Sequence, residues 1–500
     1  MPSNSYDLVV LGDDLAALVC ATLCARRGMR TLVLGDDRPA RYTLGPHKLP
    51  IEPMMWPVTG AAQGSPVERV LKELHAELAM RRKLREPRIA AQLVAPELRI
   101  DLGGDRVGGE LVRELGDAGE AALVRWQRGR EVARLYDPLF GGEHAFPGVG
   151  FFERREVAKL VETAGAGTAT WWAEVEADPD SALWRHLAAI LERHPEPPPG
   201  AVARALDAWF AGPPALRGDG DAIRELLVEK LTTAGGEVRT GAIADANVSW
   251  GKLSSITLGN GDDIGAGQVV ASKTPAQLAE LLGKKAPKRL GELAEAMSII
   301  GYRYTLNIVL DEAGIPEHMA PTVAVLAAPD KPPVGDAAFS IHLGETDDAG
   351  RVVATIAAVL PSEGALDADR LASKCMALRT ALWRRIGDVM PFFEKHLVLA
   401  HSPFEATPPH VPGGRGSYDV PRNLPLAMPP VWKGSLPQTA DLGVVPYVTG
   451  LKNLTLTGDQ ILPSLGLEGS LVAGWSAAKV ACALAGKKKD YLRDEVVGAA

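Results

Sequence analysis

Aromatic residues make up only 5% of this 500-residue chain, cysteines number four, and neither sign of charge dominates. Each shortage excludes something. Lys plus Arg total 54 against 62 Asp plus Glu, a formal charge of −8. A mildly acidic chain without a long basic run is a poor binder of phosphate backbones, so no nucleic-acid partner is expected. Cys20 and Cys24 lie one helical turn apart, but no second Cys or His pair has zinc-finger spacing nearby, so they read as small apolar core residues. Reduced thiols fit a cytoplasmic protein. No uncharged apolar run reaches the roughly 18 residues that a membrane-spanning helix needs, which leaves peripheral contact with a membrane surface as the only membrane association open. The start, MPSNSYDLVVLG, has no basic stretch ahead of an apolar core, and a cleaved secretory signal is not expected.

What the chain has is small residues and length. Hydrophobic residues make up 46% and charged residues 23%, an ordinary globular balance, and the length suggests roughly two or three domains. Tyr6–Leu11 is a nearly continuous β-branched and aliphatic run, the pattern of a strand buried on both faces. Gly12 ends it. Leu15–Ala25 reads as a helix of small residues, stopped by Arg26, Arg27 and Gly28, and Thr31–Leu34 as a second buried strand. Strand, tight turn, Ala-rich helix and strand make a βαβ unit with a parallel sheet.

Further along, Ser65-Pro66-Val67-Glu68 is a capping box, and the chain to about Gly200 is predicted mostly helical, with Pro195–Pro199 as a boundary. A helix at Ala222–Ala234 leads through Gly235-Gly236 into a strand at Glu237–Arg239. Strands follow at Leu253–Leu258 and Gln268–Ala271, around the hairpin signal Gly259–Asp262. Tyr302–Leu310 alternates, with Tyr304, Leu306, Ile308 and Leu310 on one face. Val352–Leu360 is predicted as a strand, Asp369–Arg385 as a helix and Pro403–Pro446 as loop. A last strand, Asn453–Thr457, passes through Gly458-Asp459 and a glycine-broken turn into a helix at Ser470–Leu484.

Chemistry is expected where the first strand feeds the first helix, because free amides and the helix dipole there favour an anion. A dinucleotide fingerprint G-x-G-x-x-G uses its first glycine for the turn, its second for pyrophosphate approach and its third for close packing. This chain reads Gly12-Asp13-Asp14-Leu15-Ala16-Ala17, with Asp14 at the second position and Ala17 at the third. A carboxylate about 4 Å from a phosphate charge costs about 4 kcal/mol at an effective dielectric of about 20. Gly35 stands where an acid usually ends the second strand to hold the ribose, and Asp36 and Asp37 follow it. The turn predicts a Rossmann-type unit and leaves a bound dinucleotide open.

Three separated blocks, taken together, resemble a known family. They are Asp7–Gly35 with Gly45-Pro46-His47 downstream, Leu216–Pro275, and Asn453–Ala478. The chain looks like the FAD-dependent oxidoreductases that include phytoene (carotenoid) desaturases and flavin amine oxidases. The resemblance implies an α/β fold, a Rossmann-like FAD/NAD(P)-binding domain with a second, mixed α+β substrate domain. The first would be built from 1–64, 205–290 and 440–500, the second from 65–204 and 291–439. FAD is the implied cofactor. Gly12, Asp14, Leu15 and Ala17 would border its pyrophosphate, with Asp36 on the ribose side and Ala244 at the adenine side. Gly458 and Asp459 would meet the ribityl or pyrophosphate part, Asp459 also reading as a plain turn or cap. Gly466, Leu467 and Gly469 would turn past the isoalloxazine, with the following helix dipole offsetting flavin charge. The family's di-glycine after the second strand is replaced by Arg38-Pro39-Ala40-Arg41. Catalytic side chains are not assigned. His47 reads as a structural histidine, and Trp171-Trp172 and Met54-Met55-Trp56 as packing residues or the lining of an apolar path. The implied function is hydride transfer from a hydrophobic small molecule to flavin. The alternative is a flavin-free member of the fold acting as a lipid or isoprenoid carrier or as a binder of a protein partner, as Rab GDP-dissociation inhibitors do.

Overall fold

The computed structural model describes residues 4–486, apart from 37–38, 54–63, 179–180, 218–220, 363, 365, 415–417 and 435–438. The Met54-Met55-Trp56 group, Asp37, Arg38 and Gly218-Asp219-Gly220 therefore lie outside the described residues. The predicted βαβ unit is present: a strand Asn4–Leu11, a helix Leu15–Arg26 and a strand Thr31–Gly35. Leu8 to Leu11 are fully buried because both faces of this strand are covered. It pairs in parallel with Thr31–Gly35 on one side and Asp263–Ala271 on the other. Outward from Thr31–Gly35 lies Glu237–Thr240, also parallel. Outward from Asp263–Ala271 lie an antiparallel pair, Lys252–Leu258 and Ile243–Ser249, and the short parallel strand Leu454–Leu456. The segment near residue 265 thus closes on the first strand, and the segment near residue 455 closes on that one.

The last helix, Gly466–Leu484, lies against the first. Small residues permit this. The space that a Cβ at Gly474 would need is taken by the backbone carbonyl of Ala16 and by Val19. Cys24 Sγ lies 3.7 Å from Cys482 Sγ between the two helices, and all four cysteines are buried, as core residues should be. Trp475 fills the remaining volume, fully buried, with its Nε1 donating to Glu73 Oε2 at 2.6 Å. Truncating such a residue to alanine costs about 3–5 kcal/mol.

A second sheet runs in the order Leu397–His401, Met297–Asp311, Arg351–Pro361, Ala338–Leu343, Thr322–Leu326, Ala91–Ala95, Leu98–Leu102. Its neighbours are antiparallel except Thr322–Leu326 with Ala91–Ala95. The helix Ala368–Val389 covers one face through Cys375, Leu378, Leu382 and Ile386. The fold is α/β, a Rossmann-like layer beside a mixed α+β layer.

The stretch from Ser65 to about Gly200 is mostly helical, as predicted, but it also contains the hairpin Ala91–Leu102, which pairs with the distant strand Thr322–Leu326. Local periodicity does not reveal such a partner. The proline cluster is a connector, with Pro199 opening another helix, Pro199–Ala211. Within 403–446, Pro430–Gly434 is a strand against Met297–Tyr302. Both faces of the long strand are buried at its middle, Thr305 and Asn307 as fully as Tyr304 and Leu306.

Candidate functional site

The turn after the first strand and the turn after the last strand meet at one residue, Ser272. Its Oγ takes the space a Gly12 Cβ would need and donates to Leu11 O at 3.1 Å, while its Cβ lies 3.4 Å from the position a Gly458 Cβ would take. Both glycines have left-handed backbone, φ +101° and +104°, which a side chain would strain further. Gly12, Asp14 and Gly458-Asp459 are therefore neighbours, as the resemblance implied.

Asp14 decides the chemistry here. It is the N-cap of the first helix, its Oδ1 accepting from Ala17 N at 2.8 Å, and its Oδ2 lies 3.2 Å from the Cβ position of Gly458. The carboxylate thus occupies the anion position at the helix amino terminus. It is exposed to solvent, and no cation pairs with it among the described residues. Desolvation, reinforced by Asp459, Asp13 and Asp36, pushes its carboxyl up to about 7, against the pull of the Ala17 amide.

The neighbouring carboxylates are each held by a cation. Asp13 bonds Arg224, Asp36 bonds Lys273, and Asp459 Oδ2 accepts from Arg303 Nη1 at 3.0 Å. Asp13 also explains Gly35: its Oδ2 is 2.6 Å from where a Gly35 Cβ would be, so the absent ribose acid leaves the room that Asp13 fills. The amino terminus of the last helix repeats the arrangement. Glu192 Oε2 lies 2.6 Å from the Cβ position of Gly466, and burial next to Glu468 pushes the Glu192 carboxyl up to about 8. Glu468, in the first turn of that helix, is itself buried against Arg204.

The other implied residues divide. Leu15 is half-buried at the crevice rim. Leu467 faces the apolar interior with Leu471, Val67 and Leu71, and a Gly469 Cβ would sit 2.6 Å from Leu462 O, so both serve helix packing. Ala244 is exposed one residue beyond the wall of an open recess of about 560 Å³, lined by Thr240–Ile243, Asp36, Lys273 and Gln277 at the ends of the parallel strands. His47 is buried, 3.5 Å from Arg351 Nη1, with its imidazole pushed down by burial and by that guanidinium. Trp171 is core, its Nε1 donating to Arg125 O at 3.1 Å, and Trp172 bonds Glu176 on the same helix.

Two features were not legible beforehand. One is a buried row of charge between the layers: Arg193, with φ +49° and its Nε and Nη1 without hydrogen-bond partners among the described residues, lies 3.8 Å from Glu52 and close to Glu192 and Arg303. The other is a pocket of about 300 Å³ on the second sheet, between the hairpin Arg41–Pro50 and the segment Trp209–Leu216. No spacing in the sequence links those segments.

No protein-family model matches the chain, and no curated protein matches it. Solved structures do. An oxidoreductase from Methanosarcina mazei superposes with a TM-score of 0.57 over 94% of this chain and 99% of that one, at 12% identity. Wild-type putrescine oxidase bound to putrescine gives 0.57 over 96% and 99%, at 13% identity. A protein from Pyrococcus furiosus gives 0.51 over 98% and 99%, at 11% identity. The chain has the fold of the flavin-dependent oxidoreductases.

The fold is theirs, but the anion cradle is not built for their cofactor. A dinucleotide diphosphate needs the free amides of the first helix and a glycine beside them. Here Ala17 N already bonds the Asp14 carboxylate, and Asp14 holds the place of that glycine. The residues present do not fit the diphosphate.

Proposed function

We propose that this chain is a flavin-free binding protein on a flavoenzyme fold, a carrier of a hydrophobic small molecule in a reducing compartment. The observation that carries this reading is the Asp14 carboxylate seated on the Ala17 amide against Gly458. Glu192 at the amino terminus of the last helix supports it, because both helix ends already face an acidic side chain of the chain that takes up the space in front of them. The four buried thiols agree with the compartment. A specific observation favours a second reading, an FAD-dependent oxidoreductase of the desaturase or amine-oxidase kind acting on a hydrophobic substrate: a recess is open beside Ala244 and Asp36, which the resemblance assigns to the adenosine part. One experiment separates the two. The purified protein should show no flavin absorbance, release no FAD on denaturation and take up none when titrated with it. A yellow protein that releases FAD overturns the carrier reading.

A further inference from the structure

The pocket on the second sheet has a composition unlike the crevice. Its floor is apolar, from Leu343, Val353 and Pro321, and its far wall is Trp209, Pro213 and Leu216. Three cations line it, Arg41 and Lys48 from the hairpin and Arg85 from the strand Leu84–Arg85. One acid, Glu345, lies among them, its Oε1 3.9 Å from Arg85 Nε. At about 300 Å³ the pocket reaches the lower end of the range that holds small ligands. His342, also in the lining, bonds Ser340 at 2.9 Å. Its imidazole is held down to about 3 by burial and by Arg193 behind it, so it stays neutral while Arg193 adds positive potential from the interior.

We infer that this pocket binds an apolar molecule carrying one anionic head group, the head held among Arg41, Lys48 and Arg85 and the tail laid on Leu343, Val353 and the Trp209–Leu216 wall. What the ligand does rests on the carrier reading; its chemistry rests on the pocket alone. Three cations against one carboxylate leave the lining net positive, and a partly desolvated cation gains most from an anion that accepts hydrogen bonds. An amine of the same length meets repulsion, and an alcohol gains only the tail.

Calorimetric titration of the full chain at neutral pH with octanoate, octyl phosphate, octanol and octylamine tests this. Both anions should bind at least about tenfold more tightly than the alcohol or the amine, and the tighter of the two identifies a carboxylate or a phosphate head. Lys48→Glu and Arg85→Glu should each weaken the anions about tenfold and leave octanol unchanged, while Glu345→Gln should strengthen them. Lys48 is exposed, so its variant tests the head group without risk to the fold. Equal affinity for all four compounds, preference for the amine, or no binding of any of them overturns the assignment. A flavin-loaded protein that still prefers the anions would refute the carrier reading and leave the pocket standing.

Discussion

The two concave regions of this molecule carry opposite chemistry. In the crevice at the ends of the parallel strands, where the fold is suited to an anion, the chain places Asp13, Asp14, Asp36 and Asp459. In the pocket on the second sheet, it places Arg41, Lys48 and Arg85 over an apolar floor. The difference teaches that architecture and occupant separate readily. A helix amino terminus offers about half a positive charge to whatever stands before it, and here an acidic side chain of the chain stands there, its carboxyl pushed up to about 7 by desolvation and neighbouring carboxylates.

The largest test asks what builds the crevice at all. Gly474→Val should be destabilised by about 3 kcal/mol or more in urea titration, since the added side chain meets the Ala16 carbonyl and the two helices cannot part without exposing Trp475. An unchanged midpoint would mean that the helix contact is slack. Gly35→Asp, which restores the usual ribose acid, should cost about 1–3 kcal/mol because its Cβ meets Asp13. Adding Asp13→Gly to it should recover part of the loss, and strict additivity in that double-mutant cycle would show that the two positions do not compete.

The smallest effect concerns Asp14 and depends on pH. Its folded carboxyl, at about 7, lies above the ordinary 3.8, so the folded state keeps the proton longer than the unfolded chain. Its contribution to stability therefore falls as pH rises from about 4 to 7 and is fully lost above that. Asp14→Asn keeps the cap and removes the titration. It should match the parent near pH 4 and exceed it above pH 7, by about 1 kcal/mol once solvent screening is allowed for, as read from melting temperatures across that range. A constant difference at every pH would show that Asp14 does not titrate there. Asp14→Gly should also raise FAD affinity in a flavin titration, sharpening the contrast between the two regions from the side of the crevice.

Much of the nucleotide layer was legible in the chain because its signals are local. The run Tyr6–Leu11 and the stop at Arg26–Gly28 act within a few residues of themselves, and the structure places their boundaries within one or two positions. The hairpin Ala91–Leu102 and the strand Pro430–Gly434 were missed because each is stabilised by a strand more than a hundred residues away. At the site, the sequence marked Asp14 and Gly35 as departures but did not show that Gly35 makes room for Asp13.

The chain by itself determined the βαβ unit, the small-residue helices and the presence of a carboxylate in the glycine turn, because propensity, capping and burial patterns act over short range. Tertiary structure alone decided that the Asp14 carboxyl packs against Gly458, that Glu192 faces Gly466, and that cations from residues 41, 48 and 85 share one pocket. These are distances between segments far apart in sequence, and only the packing of layers sets them.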